Sequence, residues 1–196
     1  MNIAIKIYGN DRCCCRPDTT WERENRDYYV PDGIDSIHWS PIAFARISKA
    51  GKCIGEKFVS RYYDAVNFGA LLYIGDILDG SAGSLACASC ADHTSILPFP
   101  LYNPVVFGTE GNTFEINKNG ERIFRMESAS EEKGKSVLDM LEEAVCMTSR
   151  LTSLRTGDIV AVELGQVSPL AARADGDVSI AGEFCENWLF DFKIVF

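Results

Sequence analysis

The sequence carries few side chains that could perform nucleophilic or acid–base chemistry together. It has only two histidines, His38 and His93, so any serine- or cysteine-based triad would have to use one of them. The strained Gly-x-Ser-x-Gly turn that presents a serine nucleophile in many hydrolases is absent. A single histidine beside Trp39 is more often a wall residue than a catalytic base. The sequence therefore predicts no complete catalytic site.

Three residues have a spacing that zinc sites use. Cys87, Cys90 and His93 offer two thiols and an imidazole within seven positions. A fourth ligand would have to come from elsewhere in the chain, from Cys13, Cys14, Cys15, Cys53 or His38. The alternative is that these cysteines are buried free thiols, which pack like small apolar side chains. The three adjacent cysteines at 13–15 have no function that the sequence suggests.

The segment 129–136 matches the loosest form of a phosphate-binding loop. Such a loop cradles phosphates with bare backbone N–H groups, usually presented by glycines. Glu131 and Glu132 would instead place two negative charges against the phosphates. We therefore predict a solvated loop that caps a helix, and no nucleotide cofactor.

Charge and hydropathy exclude several classes of partner. The 196 residues carry a net charge of −9 with a pI near 4.7, which argues against nucleic acid and anionic membranes. Residues 1–6 do not resemble a signal peptide, and prolines interrupt the most apolar stretch, 96–107. We expect one domain spanning 1–196 in the cytoplasm, with its eight cysteines reduced.

Hydrophobic periodicity predicts a β-rich domain with one or two helices. Residues 66–74 form an apolar run that is typical of a central strand, and Asn119-Gly120 predicts a hairpin turn. A helix is predicted over 136–150, and 75–95 is predicted to be irregular. In the last strand one face should carry Trp188, Phe190, Phe192, Ile194 and Phe196. The fold class is therefore α+β, built on packed sheets.

Several segments together resemble the fumarylacetoacetate hydrolase (FAH) family. They are Ile-His-Trp-Ser-Pro-Ile-Ala-Phe-Ala-Arg-Ile at 37–47, Glu-Lys-Phe-Val-Ser-Arg-Tyr-Tyr-Asp-Ala-Val-Asn-Phe-Gly at 56–69, Asp-Gly-Ser at 79–81 and Leu-Arg-Thr-Gly-Asp at 154–158. The order and spacing of these segments carry the resemblance over most of the chain. It implies layered, rolled mixed β-sheets, a homodimer, and cleavage, decarboxylation or isomerisation of β-dicarbonyl and keto-acid substrates.

The resemblance also implies a Mg²⁺ or Mn²⁺ ion held by two glutamates and an aspartate. The family's ligand positions here hold Ser40, Ile42 and Leu71. Aliphatic side chains offer no lone pairs, and one hydroxyl cannot replace three carboxylates around a divalent ion. The family's N-terminal lid, with its His–Glu pair, is also shortened, since little chain separates Gly9 from Pro17. We therefore expect no metal cofactor at these positions.

Two functions stay open at this point. The first is a catalytically inactive homologue, a pseudoenzyme with a binding or assembly role and the capacity to bind a small carboxylic acid. The second is a hydrolase, decarboxylase or isomerase with a rewired active site. In that enzyme His38 would be the base, and Asp76 and Glu163 would be its acidic partners or replacement ligands.

Overall fold

A computed structural model describes residues 1–131 and 134–196. Two α-helices lie in the described residues, α1 at Ala82–Ala88 and α2 at Val137–Leu151. The strands in chain order are β1 Ile3–Lys6, β2 Cys13–Arg16, β3 Trp21–Glu22, β4 Tyr28–Tyr29, β5 Ser36–Ile47, β6 Tyr63–Ile74, β7 Ser95–Ile96, β8 Thr113–Lys118, β9 Glu121–Glu127, β10 Ile159–Glu163, β11 Ser168–Ala172, β12 Val178–Phe184 and β13 Asn187–Val195.

The larger sheet has eight strands and curls into a half-barrel. Its strand order is β2-β1-β10-β5-β6-β7-β3, and β11 pairs with the other end of β5. The long strands β5 and β6 pair antiparallel over their whole length, whereas β1 and β10 pair in parallel. The sheet is therefore mixed, as the family resemblance implied, and β5 and β6 form its centre.

The curl of this sheet brings its two edges together. The chain leaves β2 at one edge, and β3 then pairs with β7 at the other. Arg16, on β2, donates a hydrogen bond to the carbonyl of Leu72 on β6 at 3.0 Å. In the strand order β6 lies four strands away from β2, so only a strongly curled sheet allows this contact. We call the concave side, which Arg16 faces, the inner face.

The convex side of the half-barrel packs against a five-stranded sheet ordered β4-β13-β12-β8-β9. Phe68 of β6 stacks on Phe107 and on Phe114 of β8, with ring centroids 4.3 and 4.5 Å apart. Phe184 of β12 meets Phe68 edge-on at 5.0 Å. The core between the two sheets is therefore built largely from aromatic rings, which prefer such offset and edge-on geometries.

Two strong local signals of the sequence are confirmed. Asn119 and Gly120 have positive φ angles of 50° and 82° and join β8 to β9, as a type I′ turn requires. Helix α2 begins after Ser136, whose hydroxyl accepts from the Asp139 N–H while the Asp139 carboxylate accepts from the Ser136 N–H. This reciprocal capping box satisfies two backbone donors at the helix start.

Two expectations about local structure were wrong. Trp188 does not face the core and is 64% exposed, because a bulge at Leu189 of β13, opposite Gly182 and Glu183 of β12, shifts the register and buries Leu189 instead. The segment 75–95 is more regular than expected, since it contains helix α1, capped by the hydroxyl of Ser81.

Two further features bear on earlier expectations. Part of the phosphate-loop match at 129–136, residues 132 and 133, lies outside the described residues. In the described part of the chain, every helix is too short or too polar to cross a bilayer.

Candidate functional site

The three positions that the resemblance aligns with the family's metal ligands lie side by side on the inner face. Ser40 of β5 pairs directly with Leu71 of β6, and Ile42 lies two residues further along β5, so all three side chains point the same way. Each residue is 0% exposed. The Ser40 hydroxyl donates to the carbonyl of Gly165 at 2.7 Å. The positions therefore form packed core, with one hydroxyl that is already engaged.

An arginine lies inside the half-barrel against the strand that carries Leu71. Arg16 is 2% exposed. Its Nη1 donates to the carbonyl and the hydroxyl of Thr94, both at 3.2 Å, and its Nη2 donates to the carbonyl of Leu72 at 3.0 Å. The guanidinium carbon lies 4.4 Å from the ring centroid of Tyr73, a cation–π contact. Its Nε has no partner among the described residues.

Glu163 completes this buried polar group, which we call the Arg16–Tyr73–Glu163 network. The Tyr73 hydroxyl donates to Oε1 of Glu163, and the backbone N–H of Tyr8 donates to Oε2 at 2.8 Å. Burial raises the pKa of the Glu163 carboxyl, although these hydrogen bonds and the Arg16 charge act against the shift. Burial also raises the pKa of the Tyr73 hydroxyl. Both oxygens of Glu163 are thus occupied by structural partners.

The open space beside this network is a cleft of about 520 Å³, which we call the Arg12 cleft. Its lining includes polar side chains that could bind a ligand, Asn10, Arg12, His38 and Gln166, and the apolar side chains Leu85 and Val167. Glu163 also borders it. Its volume lies in the range of small-molecule sites, and its lining combines apolar residues with a few polar groups.

Of the three acid–base candidates, the structure brings two to this cleft. His38 borders it, and partial burial lowers the pKa of the imidazole, while the nearby Asp76 charge acts in the opposite direction. Asp76 is not part of the lining. Its carboxylate accepts from the Asp35 and Ser36 N–H groups and from the Ser36 hydroxyl, and these bonds lower its pKa despite a desolvation cost. Asp76 therefore fixes the start of β5.

The suggested zinc residues do not converge. His93 lies with its Nδ1 2.9 Å from Oε2 of buried Glu22, while Cys87 and Cys90 are exposed. Within residues 1–131 and 134–196, no group of three or more histidine, cysteine or acidic side chains could hold a metal ion. The Glu22–His93 pair instead ties β3 to the segment that precedes β7.

Sequence reasoning missed Arg16 and Tyr73, which are the central residues of the network. The signal in the sequence was weak, because Arg16 follows three cysteines in a stretch with no alternation of apolar and polar residues. Tyr73 lies in an apolar run that indicates only burial. Their partnership depends on the curl of the sheet, which no local pattern encodes.

Comparisons with known proteins agree with this architecture. No family model matches the sequence, and no curated protein is detectably similar to it. Among solved structures, one assigned to the FAH family from Yersinia pestis CO92 superposes with a TM-score of 0.77 at 16% identity, over 99% of this chain and 92% of that one.

Two enzymes superpose equally well. Fumarylpyruvate hydrolase from Pseudomonas aeruginosa, in complex with Mn²⁺ and pyruvate, gives a TM-score of 0.79 at 15% identity, over 100% of this chain and 89% of that one. A 5-carboxymethyl-2-hydroxymuconate delta-isomerase from Mycobacterium smegmatis gives 0.78 at 13% identity, over 99% and 78%. At such low identity the likeness concerns the fold, and the chain therefore has the fold of FAH-family hydrolases and isomerases.

Proposed function

We propose that this protein is a non-catalytic homologue on the FAH fold that binds a small carboxylic acid without a divalent metal. One observation carries the proposal: the buried guanidinium of Arg16 donates to the carbonyl of Leu72, the residue after Leu71, and Leu71 pairs with Ser40 among the positions that the resemblance aligns with the metal ligands. The positive charge inside the half-barrel is supplied by the chain itself.

The donor set does not fit Mg²⁺ or Mn²⁺. These hard ions take oxygen ligands, usually including carboxylates. Ile42 and Leu71 offer no donor atom, and the Ser40 hydroxyl is bonded to a backbone carbonyl. A divalent ion beside Arg16 would also meet a like charge in a poorly solvated place.

The Arg12 cleft supports the binding role. Arg12 is exposed and borders the cleft together with Asn10, His38 and Gln166, all of which can donate hydrogen bonds. A guanidinium binds a carboxylate through two parallel hydrogen bonds, which makes arginine the preferred residue for this group. The apolar Leu85 and Val167 suit the carbon chain of a short acid.

Calorimetric titration with pyruvate and with acetylpyruvate tests this role. We expect binding by the wild-type protein and a roughly 10–100-fold weaker affinity in Arg12→Gln, since a charge-assisted hydrogen bond contributes about 1.5–3 kcal/mol. Arg155→Gln is the matched control, because this arginine is also exposed but does not border the cleft. Equal affinity in the two variants, or no binding at all, would contradict the proposal.

The proposal also predicts that the purified protein contains no stoichiometric Mg²⁺ or Mn²⁺ and does not cleave acylpyruvates. Elemental analysis and a spectrophotometric assay of acylpyruvate absorbance measure both. Turnover that a chelator abolishes would refute the non-catalytic assignment.

A second function, a metal-independent enzyme with a rewired cleft, has one observation in its favour. His38, with a lowered pKa, and Glu163, with a raised pKa, both border the Arg12 cleft, and opposed shifts of this kind are typical of acid–base pairs. Chelator-resistant turnover of a β-dicarbonyl or keto-acid substrate that His38→Asn abolishes would establish this alternative.

The assembly and location are also part of the proposal. We propose a homodimer in the cytoplasm. The free state of all eight cysteines is consistent with a reducing compartment, and exposed Trp188 and Tyr29 offer apolar surface for a subunit contact. Sedimentation of the protein as a monomer at micromolar concentration would rule out the dimer.

A further inference from the structure

The three adjacent cysteines alternate between the two sides of an edge strand. Cys13 pairs with Lys6 and Cys15 pairs with Ala4, whereas Cys14 pairs with Ile5. Cys13 and Cys15 therefore share the outer side of β2, and Cys14 points to the inner face. Strand β2 is the first in the order of the eight-stranded sheet, so one of its hydrogen-bonding edges has no neighbouring strand in the described part of the chain.

Helix α2 lies over this outer side. The hydroxyl of Thr148 donates to Sγ of Cys13 at 3.4 Å. Cys13 is half-buried beneath the helix, and Cys15 is exposed beyond it. The pair is thus held on a regular strand, partly shielded by α2 and open to solvent on one side. Cys14 is separated from the pair by the backbone and faces Arg16 and Glu163. Burial raises the pKa of the Cys14 thiol, while the Arg16 charge lowers it and the Glu163 charge raises it.

We propose that Cys13 and Cys15 form a two-coordinate site for a soft monovalent metal ion, Cu(I). Alternate residues of a strand have Cα atoms about 6.7 Å apart, which is the upper end of the range for a disulfide. Two metal–sulfur bonds in line hold the sulfur atoms about 4.6 Å apart, a much wider separation than the roughly 2 Å of a direct sulfur–sulfur bond. The spacing therefore suits a bridging ion better than a direct sulfur–sulfur bond.

The donor set selects the ion. Zinc needs four ligands, and no group of three or more suitable side chains exists in the described residues. Magnesium and calcium require oxygen ligands. Two thiolates without a third donor match Cu(I), which prefers soft sulfur ligands.

Binding is a simple exchange of protons for the ion. Two S–H bonds break, two protons leave to solvent, two S–Cu bonds form, and copper stays in its monovalent state. The site then carries one negative charge. Lys6, the register partner of Cys13, places an ammonium group near it, and this group is also paired with Glu143 at 3.4 Å. The Thr148 hydroxyl supplies a hydrogen bond to the metal-bound sulfur, a type of outer contact that commonly strengthens metal sites.

The test is a titration of the reduced full-length protein with Cu(I) buffered by a chromophoric competing chelator. We expect one tightly bound ion, and an affinity at least about 100-fold lower in Cys13→Ser and in Cys15→Ser, since the loss of an outer contact alone costs 10–100-fold. Cys14→Ser is the matched control, because it changes the middle cysteine on the opposite side. A Cys87→Ser/Cys90→Ser double variant tests the second exposed pair of thiols.

The inference is supported if both controls retain the ion and the two ligand variants lose it. It is overturned if Cys14→Ser or the double variant removes the ion, or if Cys13→Ser leaves affinity unchanged. If a variant fails to fold, X-ray absorption of the wild-type complex identifies the atoms that coordinate the copper ion. Two sulfur scatterers and no nitrogen or oxygen neighbour support the site, and any other coordination refutes it. The outcome is independent of carboxylic-acid binding at the Arg12 cleft.

Discussion

Replacing Arg16 by methionine tests whether the interior of the half-barrel is organised around a cation. Methionine keeps the unbranched apolar stem and removes the guanidinium with its hydrogen bonds to Leu72 and Thr94. It also removes the cation–π contact with Tyr73 and leaves Glu163 without the nearby positive charge. Breaking one side of a buried charged group typically costs about 3–5 kcal/mol, because the remaining partner is left uncompensated.

The expected loss is large on the scale of this domain. Domain stabilities are about 5–15 kcal/mol, so Arg16→Met should remain measurable but severely weakened. For a chain of this length each kcal/mol shifts Tm by about 2–4 °C, which gives a fall of about 6–20 °C. Urea unfolding followed by tryptophan fluorescence and circular dichroism gives the free energy of unfolding.

Arg122→Met is the matched control for this measurement. Arg122 is exposed and forms a surface ion pair with Glu115 at 3.3 Å, for which a loss of about 0–1 kcal/mol is expected. A cost for Arg16→Met no greater than that of the control would refute the view that this cation organises the interior. In a double-mutant cycle, Arg16→Met with Glu163→Gln should cost less than the sum of the two single changes, since the double variant leaves no uncompensated charge.

Three further predictions concern other parts of the structure. Burial raises the folded-state pKa of the Glu163 carboxyl above its ordinary value of 4.5, so the contribution of Glu163 to stability is present below pH 4.5 and is lost as the pH rises through the raised pKa. The unfolding free energy of the wild type relative to Glu163→Gln should therefore fall with rising pH. A flat or rising difference between the two proteins would contradict this. Ser136→Ala should destabilise the protein by about 1 kcal/mol in urea unfolding, since it removes the capping box of α2; no change would show that the cap contributes nothing. The triple variant Ser40→Glu, Ile42→Glu, Leu71→Asp should be unfolded without metal, because three like charges at fully buried positions each cost several kcal/mol. In thermal scans, Mn²⁺ should restore a cooperative unfolding transition in the variant and leave the wild type unchanged. Failure of Mn²⁺ to restore the transition would refute the assignment of these positions.

Local signals were sufficient for the elements whose own residues define them. The Asn119-Gly120 turn and the Ser136 cap were identifiable because each works through contacts within a few residues. The last strand shows the limit of such signals. Alternation predicted that Trp188 faces the core, but a bulge within this strand, where Leu189 has no pairing partner on β12, reversed the side on which Trp188 lies. That bulge belongs to the pairing of two strands and is not visible in either strand alone.

The sequence by itself determined what the residues aligned with the family's metal ligands cannot do. Ser40, Ile42 and Leu71 offer one hydroxyl and no carboxylate to a divalent ion, and this follows from residue chemistry alone. Only the tertiary structure decided which side chains fill the interior of the half-barrel beside these positions. Arg16 reaches Leu72 and Tyr73 because the sheet curls until its edge strand meets strands that are distant in its hydrogen-bonding order. The curl is the sum of small twists over many strand pairs, so no single segment of sequence encodes the contact.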